Sequence, residues 1–157
     1  MIAVHVNQDF KDLKVSVPSL KTLVREVCRR FGLSKAVVGV AIVGDGPIRQ
    51  LNRRFMGRRG TTDCFSFDLS ETADPSDKQI VEIVVNAEKA LREARRRGHR
   101  PQAELALYVT HALLHQMGFD DATPSKARRM HRMEDEILQE LGYGVVYHAQ
   151  PSMRPVS

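Results

Sequence analysis

The sequence predicts an α+β fold in which helices pack on a mixed four-stranded sheet. Short β-branched and apolar stretches, typical of strands, occur before residue 86, whereas the longest stretches of helical period occur after it. One helical stretch separates the first two predicted strands and would cross between them. With 157 residues, 42% of them hydrophobic, the chain suits one domain, which we assign to residues 1–148. Residues 149–157 lack periodicity and are expected to form a disordered tail.

The first half of the chain predicts two strands and two helices. β-branched residues indicate a strand at 2–6, and a helix is expected to follow Ser19 and to end at Gly32. The near-continuous apolar run 36–43 is typical of a strand buried on both faces. A short helix is then expected over 47–57, because it opens with proline and closes with glycine.

The second half predicts two further strands and three helices. Alternation of phenylalanine with polar residues indicates a half-exposed strand at 64–69, and the apolar segment 80–85 indicates the fourth strand. Helical spacing follows in three segments, each ended by a glycine. The predicted helices span 87–97, 102–117 and 124–141.

Arginine dominates the positive charge of the chain. There are 24 Lys and Arg residues against 19 Asp and Glu, a formal net charge of +5, and the arginines occur in short clusters. The planar guanidinium binds phosphate through paired donors, which favours a nucleic-acid partner, although a solvated arginine-rich surface would look the same in sequence. Aromatic residues make up only 6% and Trp is absent, so we expect recognition of backbone and shape rather than base stacking.

The composition also excludes several protein classes. No apolar run approaches the ~20 residues that span a bilayer, and the N-terminus lacks the basic region of a signal peptide, so a cytoplasmic protein without a membrane partner is expected. The two cysteines, Cys28 and Cys64, have neither the number nor the spacing of a disulfide framework or a cysteine metal site.

The predicted helix 102–117 carries a candidate metal site at its end. His111 and His115 stand four positions apart and therefore share one helix face. Gly118 can end the helix in a positive-φ conformation, which would let Asp121 return to the same ion. Three protein ligands leave the fourth position of a tetrahedral zinc for water, as in catalytic sites. Asp120 competes with Asp121 for the ligand role, since either carboxylate could instead cap the last helix.

These residues also permit two other interpretations. His131 is a possible distant ligand, but its arginine-rich neighbours predict a solvated helix face, and we therefore exclude it. Two histidines and one carboxylate could also form a non-haem iron centre, although a short mixed sheet is not the usual fold of such oxygenases.

The residue after the first histidine decides against peptide hydrolysis. Zincin proteases carry a glutamate there as general base, and this chain has Ala112. A phosphodiester in RNA remains a suitable substrate, because its leaving group is better and a neighbouring hydroxyl can attack.

Two segments resemble the YbeY endoribonucleases, also described as ribosomal RNA maturation factors. His-Ala-Leu-Leu-His-Gln-Met-Gly-Phe-Asp-Asp at 111–121 is similar to that family's His-Gly-x-Leu-His-x-x-Gly-Tyr-Asp-His, and Thr-Asp-Cys-Phe-Ser-Phe at 62–67 is similar to its Thr-Asp-Val-Leu-Ser-Phe strand. The resemblance implies a metal-dependent endoribonuclease that acts on single-stranded RNA in small-subunit rRNA maturation or ribosome quality control. The alternative is a non-catalytic ribosome assembly factor with a structural metal.

The resemblance also implies site residues, with departures. Asp121 stands where the family has a histidine. A carboxylate can still bind zinc, which we expect, but it also makes another divalent ion acceptable. The family's supporting arginine is matched by Met56. Nearby arginines could reach the same phosphate from adjacent positions. We therefore predict Arg58 and Arg59 as catalytic, and Arg53, Asp63 and Ser66 as substrate-binding.

Overall fold

Four strands and five helices make up the described part of the chain, which comprises residues 1–74, 76–144 and 146 of a computed structural model. The expected tail, 149–157, lies outside the described residues. A π-helical turn, Asn52–Met56, continues directly from the second helix. The strands are β1 (Ile2–Gln8), β2 (Ala36–Val43), β3 (Cys64–Asp68) and β4 (Gln79–Asn86), and the helices are α1 (Val17–Arg30), α2 (Asp45–Leu51), α3 (Ala87–Arg97), α4 (Pro101–Gln116) and α5 (Pro124–Glu140).

The four strands form one mixed sheet in the order β1, β2, β4, β3. β1, β2 and β4 are parallel, and β3 is an edge strand that pairs antiparallel with β4. The segment between β1 and β2 contains α1, as a parallel connection requires. The predicted α+β class with a mixed four-stranded sheet is confirmed.

The two faces of the sheet are covered to different extents. The inner face packs against α1 and α4 and is almost fully buried, whereas the outer face is closed mainly by Ile48 of α2, which packs on Val43 and Val84. β2 therefore alternates between buried and half-buried residues rather than being equally buried on both faces. The buried inner residues of the two central strands are Val38, Val40, Ile42, Val81, Ile83 and Val85.

α4 is the central helix of the domain. It contacts α1, α3, α5, β3 and β4, which leaves little of its surface exposed. Its sequence has apolar residues around the whole circumference, as expected for a helix surrounded by other elements. The histidines, both half-buried, occupy its last turns. No helix among the described residues has the length and apolarity needed to cross a bilayer.

Two helix starts differ from the sequence prediction. α1 begins at Val17 because Ser16, rather than Ser19, caps it, and the hydroxyl of Ser16 accepts a hydrogen bond from the Ser19 amide at 3.3 Å. α2 begins at Asp45, two positions before Pro47. Both errors have the same origin: each segment offers two residues suited to the first turn, and sequence alone does not choose between them.

Candidate metal centre

Three potential ligand atoms converge beyond the last turn of α4. Nε2 of His111 lies 3.1 Å from Nε2 of His115 and 3.8 Å from Oδ2 of Asp121. The ligand atoms of the three residues all lie within 4.8 Å of one another. The structure thus brings together the two histidines and the carboxylate that the sequence predicted.

The connection after α4 places Asp121 rather than Asp120 at the histidines. Gly118 has φ +96°, the left-handed conformation expected there, and it turns the chain back toward the helix end. Asp120 instead accepts a hydrogen bond from the Ala122 amide at 2.9 Å and lies 3.6 Å from Lys126. Its carboxylate therefore stabilises the turn and leaves Asp121, which is 48% exposed, facing His111.

A buried carboxylate of α5 supports His111 from behind. Nδ1 of His111 lies 2.5 Å from Oε2 of Glu134, whose side chain is fully buried. Because a carboxylate accepts from Nδ1–H, this contact fixes the tautomer in which Nε2 carries the lone pair. Nε2 is the atom that faces His115 and Asp121, so Glu134 prepares His111 for a cation on that side.

His131 corrects the sequence interpretation. It was excluded as a residue of a solvated helix face, but its side chain is only 14% exposed, and its Nδ1 lies 2.8 Å from Oε1 of Glu134. Its ring stacks on that of His111 with centroids 6.2 Å apart. His131, His111 and Glu134 form a second group of potential ligands. The first group suits an ion better, because both Nδ1 atoms of the second group already contact Glu134.

A signal for Glu134 exists in the sequence but was missed. Met130, Ile137 and Leu138 are the buried apolar residues of α5, and Glu134 stands at helical spacing among them. A carboxylate within an apolar stripe requires a partner, because a buried charge is otherwise very costly. One partner, His131, lies on α5 with Glu134, whereas the other, His111, lies on α4 and reaches Glu134 only because α5 packs on α4.

The charges around His111 act on its protonation. Burial lowers the pKa of His111, but the hydrogen bond and charge of Glu134, helped by Asp121 and Asp63, outweigh burial and raise that pKa above its ordinary value. The same negative charges make Nε2 a stronger ligand for a cation.

A cavity of about 420 Å³ opens in front of His111. Carboxylates outnumber cationic side chains in its wall, so the site attracts a divalent cation and, without one, repels a phosphate group. The acidic lining residues are Asp63, Glu93, Glu104, Asp121 and Glu134, and the basic ones are Lys89 and Arg97.

The donor set fits a single metal ion. A tetrahedral zinc with bonds of about 2.0–2.1 Å holds adjacent ligand atoms about 3.3 Å apart. The separations of 3.1 Å and 3.8 Å from Nε2 of His111 lie on either side of that value. Two imidazoles and one carboxylate are common ligands of zinc and of other divalent transition metals.

Comparison with known proteins places the chain in a family. A family model described as Endoribonuclease YbeY matches residues 5–142, which include the metal centre and nearly all of the sheet. The chain belongs to the YbeY endoribonuclease family. The family predicted from segments 62–67 and 111–121 is thereby confirmed.

Two YbeY relatives and one solved structure are similar to this chain. The chain is 37% identical over 123 residues to an Endoribonuclease YbeY of Anaeromyxobacter sp. (strain Fw109-5), covering 78% of this chain but only 64% of the relative. It is 33% identical over 150 residues to one from Moorella thermoacetica, covering 87% of this chain and 96% of the relative. The solution structure of TM1509 from Thermotoga maritima has the same fold, with a TM-score of 0.57, 24% identity, and coverage of 89% and 91% of the two chains.

The two YbeY-like segments lie on neighbouring elements. Asp63 lines the cavity and pairs with Lys89 at 2.7 Å. Ser66 of β3 accepts a hydrogen bond from Gln116 at 3.1 Å, next to His115, but is not among the residues that line the cavity. Asp63 is thus placed to meet a ligand in the cavity, and Ser66 holds the end of α4 against β3.

The arginines proposed in place of the missing YbeY arginine lie on the surface. Arg53 belongs to the π-helical turn, and Arg58 and Arg59 follow it. All three are exposed, and none lines the cavity. Met56, at the position of the YbeY arginine, is 53% exposed and therefore has room for a longer side chain. The roles of the three arginines stay predictions.

Proposed function

We propose that this chain is a metal-dependent endoribonuclease that cleaves single-stranded RNA during maturation of small-subunit ribosomal RNA. The carrying observation is the convergence of His111, His115 and Asp121 on one point, with His111 and Asp121 also lining an acidic cavity. Membership of the YbeY endoribonuclease family supports the reaction type.

The protein side chains prepare the site for hydrolysis of a phosphodiester. His111, His115 and Asp121 would hold the ion, and Glu134 orients His111. The bound cation would supply Lewis-acid activation of water and of a phosphoryl oxygen. The carboxylates of the cavity wall would repel an RNA phosphate except next to the cation, and the scissile phosphate would therefore bind there. Lys89 also lines the cavity, and its ammonium group pairs with Asp63 at 2.7 Å.

Zinc is the proposed ion. The ligand types and their separations suit it, while the carboxylate in place of a third imidazole also admits a harder ion. Elemental analysis of freshly purified protein would identify the metal. One equivalent of zinc is expected, and one equivalent of iron would instead favour an oxygenase-type centre.

Cleavage of a labelled single-stranded RNA tests the proposed reaction. Wild-type protein with one equivalent of zinc should cleave it, and His115→Ala should lower the rate by at least about 100-fold, the scale of losing a metal ligand's contribution. His5→Ala is the matched control, because His5 is exposed on β1 and outside the metal centre. Equal rates for wild type and His115→Ala would disprove the proposal.

A ribosome assembly factor with a structural metal is the second candidate. Its supporting observation is Met56, an exposed apolar side chain where the family has an arginine. If catalysis was lost with that arginine, Met56→Arg should create cleavage activity in an inactive protein. An active wild type whose rate Met56→Arg leaves unchanged would exclude this candidate. Ribosomal RNA as the partner and a cytoplasmic location belong to the proposal, and association with the small subunit is testable by co-sedimentation.

A further inference from the structure

Three phenylalanines that are separate in sequence form a cluster at the edge of the sheet. The ring centroids of Phe55 and Phe67 are 5.3 Å apart, and those of Phe65 and Phe67 are 6.3 Å apart with nearly parallel planes, at 17°. Phe55 is 53% exposed, although it is a large apolar residue. We call Phe55, Phe65 and Phe67 the aromatic platform.

The alternation of β3 places the platform on the outer face of the sheet. Phe65 pairs with Val84 and Phe67 with Glu82, and paired residues project to the same side. Phe65 and Phe67 pack on the small outer cluster beneath α2 and remain half-buried. The π-helical turn then brings Phe55 over Phe67. Phe65 and Phe67 therefore rest on the outer cluster, and Phe55 is the ring that is exposed to solvent.

Four arginines flank Phe55 in sequence. Among the described residues, none of the four has a carboxylate within 4.0 Å, whereas Arg92, Arg96 and Arg97 of α3 all pair with acidic side chains. The guanidinium of Arg54 lies 5.5 Å from the ring centroid of Phe55. We call Arg53, Arg54, Arg58 and Arg59 the arginine cluster; all four are exposed.

We propose that the aromatic platform stacks bases of single-stranded RNA while the arginine cluster binds the adjoining phosphates. The exposed ring of Phe55 offers a face to any base, and guanidiniums without a carboxylate partner among the described residues offer charge to the backbone, which is the combination that single-strand binding proteins use. A protein partner is disfavoured because Arg54 lies against Phe55 and three further arginines, without a carboxylate partner in the described part of the chain, are near it in sequence. This inference deepens the proposed function and rests on it for the choice of RNA.

The aromatic platform and the wall of the cavity are adjacent in sequence. Thr62 and Asp63 line the cavity, and Phe65 follows two positions later on β3. Two residues of extended chain span about 7 Å. An RNA strand whose scissile phosphate is in the cavity would cross the edge of β3, from the α4 side to the outer face, to reach the aromatic platform. The stacked base would be a neighbour of the cleaved nucleotide and would fix its register.

Binding of a fluorescein-labelled oligouridylate in the presence of a metal chelator tests the platform without cleavage. Phe55→Ala should weaken binding about 5- to 150-fold, the range of one lost stacking contact. Phe55→Leu keeps an apolar side chain and should lose nearly as much, whereas Phe55→Trp should bind at least as well as wild type. Leu69→Ala is the surface control, because Leu69 is 56% exposed, follows the last residue of β3 and has no ring.

Two further readouts separate stacking from charge. The chain has no Trp, so the fluorescence of Phe55→Trp reports this position alone and should be quenched by the oligonucleotide. Inorganic polyphosphate offers charge without bases. Phe55→Ala should bind it like wild type, whereas a double variant Arg53→Ala, Arg58→Ala should bind both ligands less tightly and with a shallower salt dependence.

The outcomes distinguish this inference from the proposed function. Unchanged oligouridylate affinity in Phe55→Ala would overturn the platform, even if His115 proves essential for cleavage. Loss of self-association in Phe55→Ala with unchanged affinity would also overturn it and identify a protein interface. Weaker binding of Phe55→Ala together with no RNA cleavage by wild type would retain the platform and refute the nuclease.

Discussion

Glu134 lies 2.5 Å from Nδ1 of His111, although 23 positions separate the two residues. The contact joins α5 to α4 and determines which nitrogen of His111 can bind a cation. The other carboxylate oxygen of Glu134, Oε1, lies 2.8 Å from Nδ1 of His131. The metal centre therefore depends on a carboxylate that does not itself face the proposed ion.

Glu134→Gln should weaken metal binding. The amide keeps the shape of the side chain but loses the charge, and loss of such partners of metal-bound histidines typically costs 10- to 100-fold in affinity. Competition with a zinc chelator measures the change. Glu136→Gln on the same helix is the control, because Glu136 is 60% exposed and pairs with Arg30. Equal zinc affinity of wild type and Glu134→Gln would show that His111 is oriented without Glu134.

Asp121→Asn and Asp120→Asn should behave differently despite being adjacent. Asp121 faces the histidines, so removal of its charge should reduce zinc affinity by about tenfold or more, at least the loss expected for an indirect partner. Asp120→Asn should preserve zinc affinity, because the amide oxygen can still accept the hydrogen bond of the Ala122 amide. Isothermal titration with zinc distinguishes the two, and the reverse order would assign Asp120 as the ligand.

Gly118→Ala should destabilise both the fold and the metal centre. An L-residue at φ +96° costs about 1–2 kcal/mol, and relaxation of that turn would move Asp121. The free energy of unfolding in urea and the zinc affinity should both fall. Gly46→Ala is the control for zinc affinity: Gly46 lies in the first turn of α2 without a positive φ and is not among the residues of the metal centre, so zinc affinity should be unchanged. A Gly118→Ala protein as stable as wild type would contradict the proposed role of the turn.

The stability contributed by Asp45 should depend on pH. Arg92 binds its carboxylate through two nitrogens, at 2.5 Å and 3.1 Å, and this contact, helped by Asn86, holds the pKa of Asp45 below its ordinary value of 3.8. A lowered native pKa stabilises the fold at higher pH, and this contribution is lost as the pH falls through the native pKa. At pH 7, the free energy of unfolding of Asp45→Asn should therefore be about 1–3 kcal/mol lower than that of wild type.

Urea unfolding at a series of pH values checks the Asp45 prediction. The difference between wild type and Asp45→Asn should shrink as the pH falls below about 4. Asp12→Asn, a substitution of an exposed aspartate, should stay near wild type at pH 7. A difference that is constant with pH would mean that the variant acts through packing and not through charge.

The order of elements and the metal ligands could be predicted from the sequence because both depend on local patterns. Periodicity located all nine helices and strands of the described chain, and the four-residue spacing of His111 and His115 fixed them on one face of α4. Gly118 indicated the turn that brings Asp121 back. Exact helix starts were less certain, since Ser16 and Ser19 both suit a cap.

Only the tertiary structure decided which distant side chains meet. His131 was predicted to be solvated from its arginine neighbours, yet packing of α5 on α4 buries it beside Glu134. The low aromatic content argued against base stacking, yet the sheet edge and the π-helical turn gather Phe55, Phe65 and Phe67. The physical reason is the same in both cases: a helix or strand pattern records which face a residue occupies, but the partner of that face is selected by packing between elements distant in sequence.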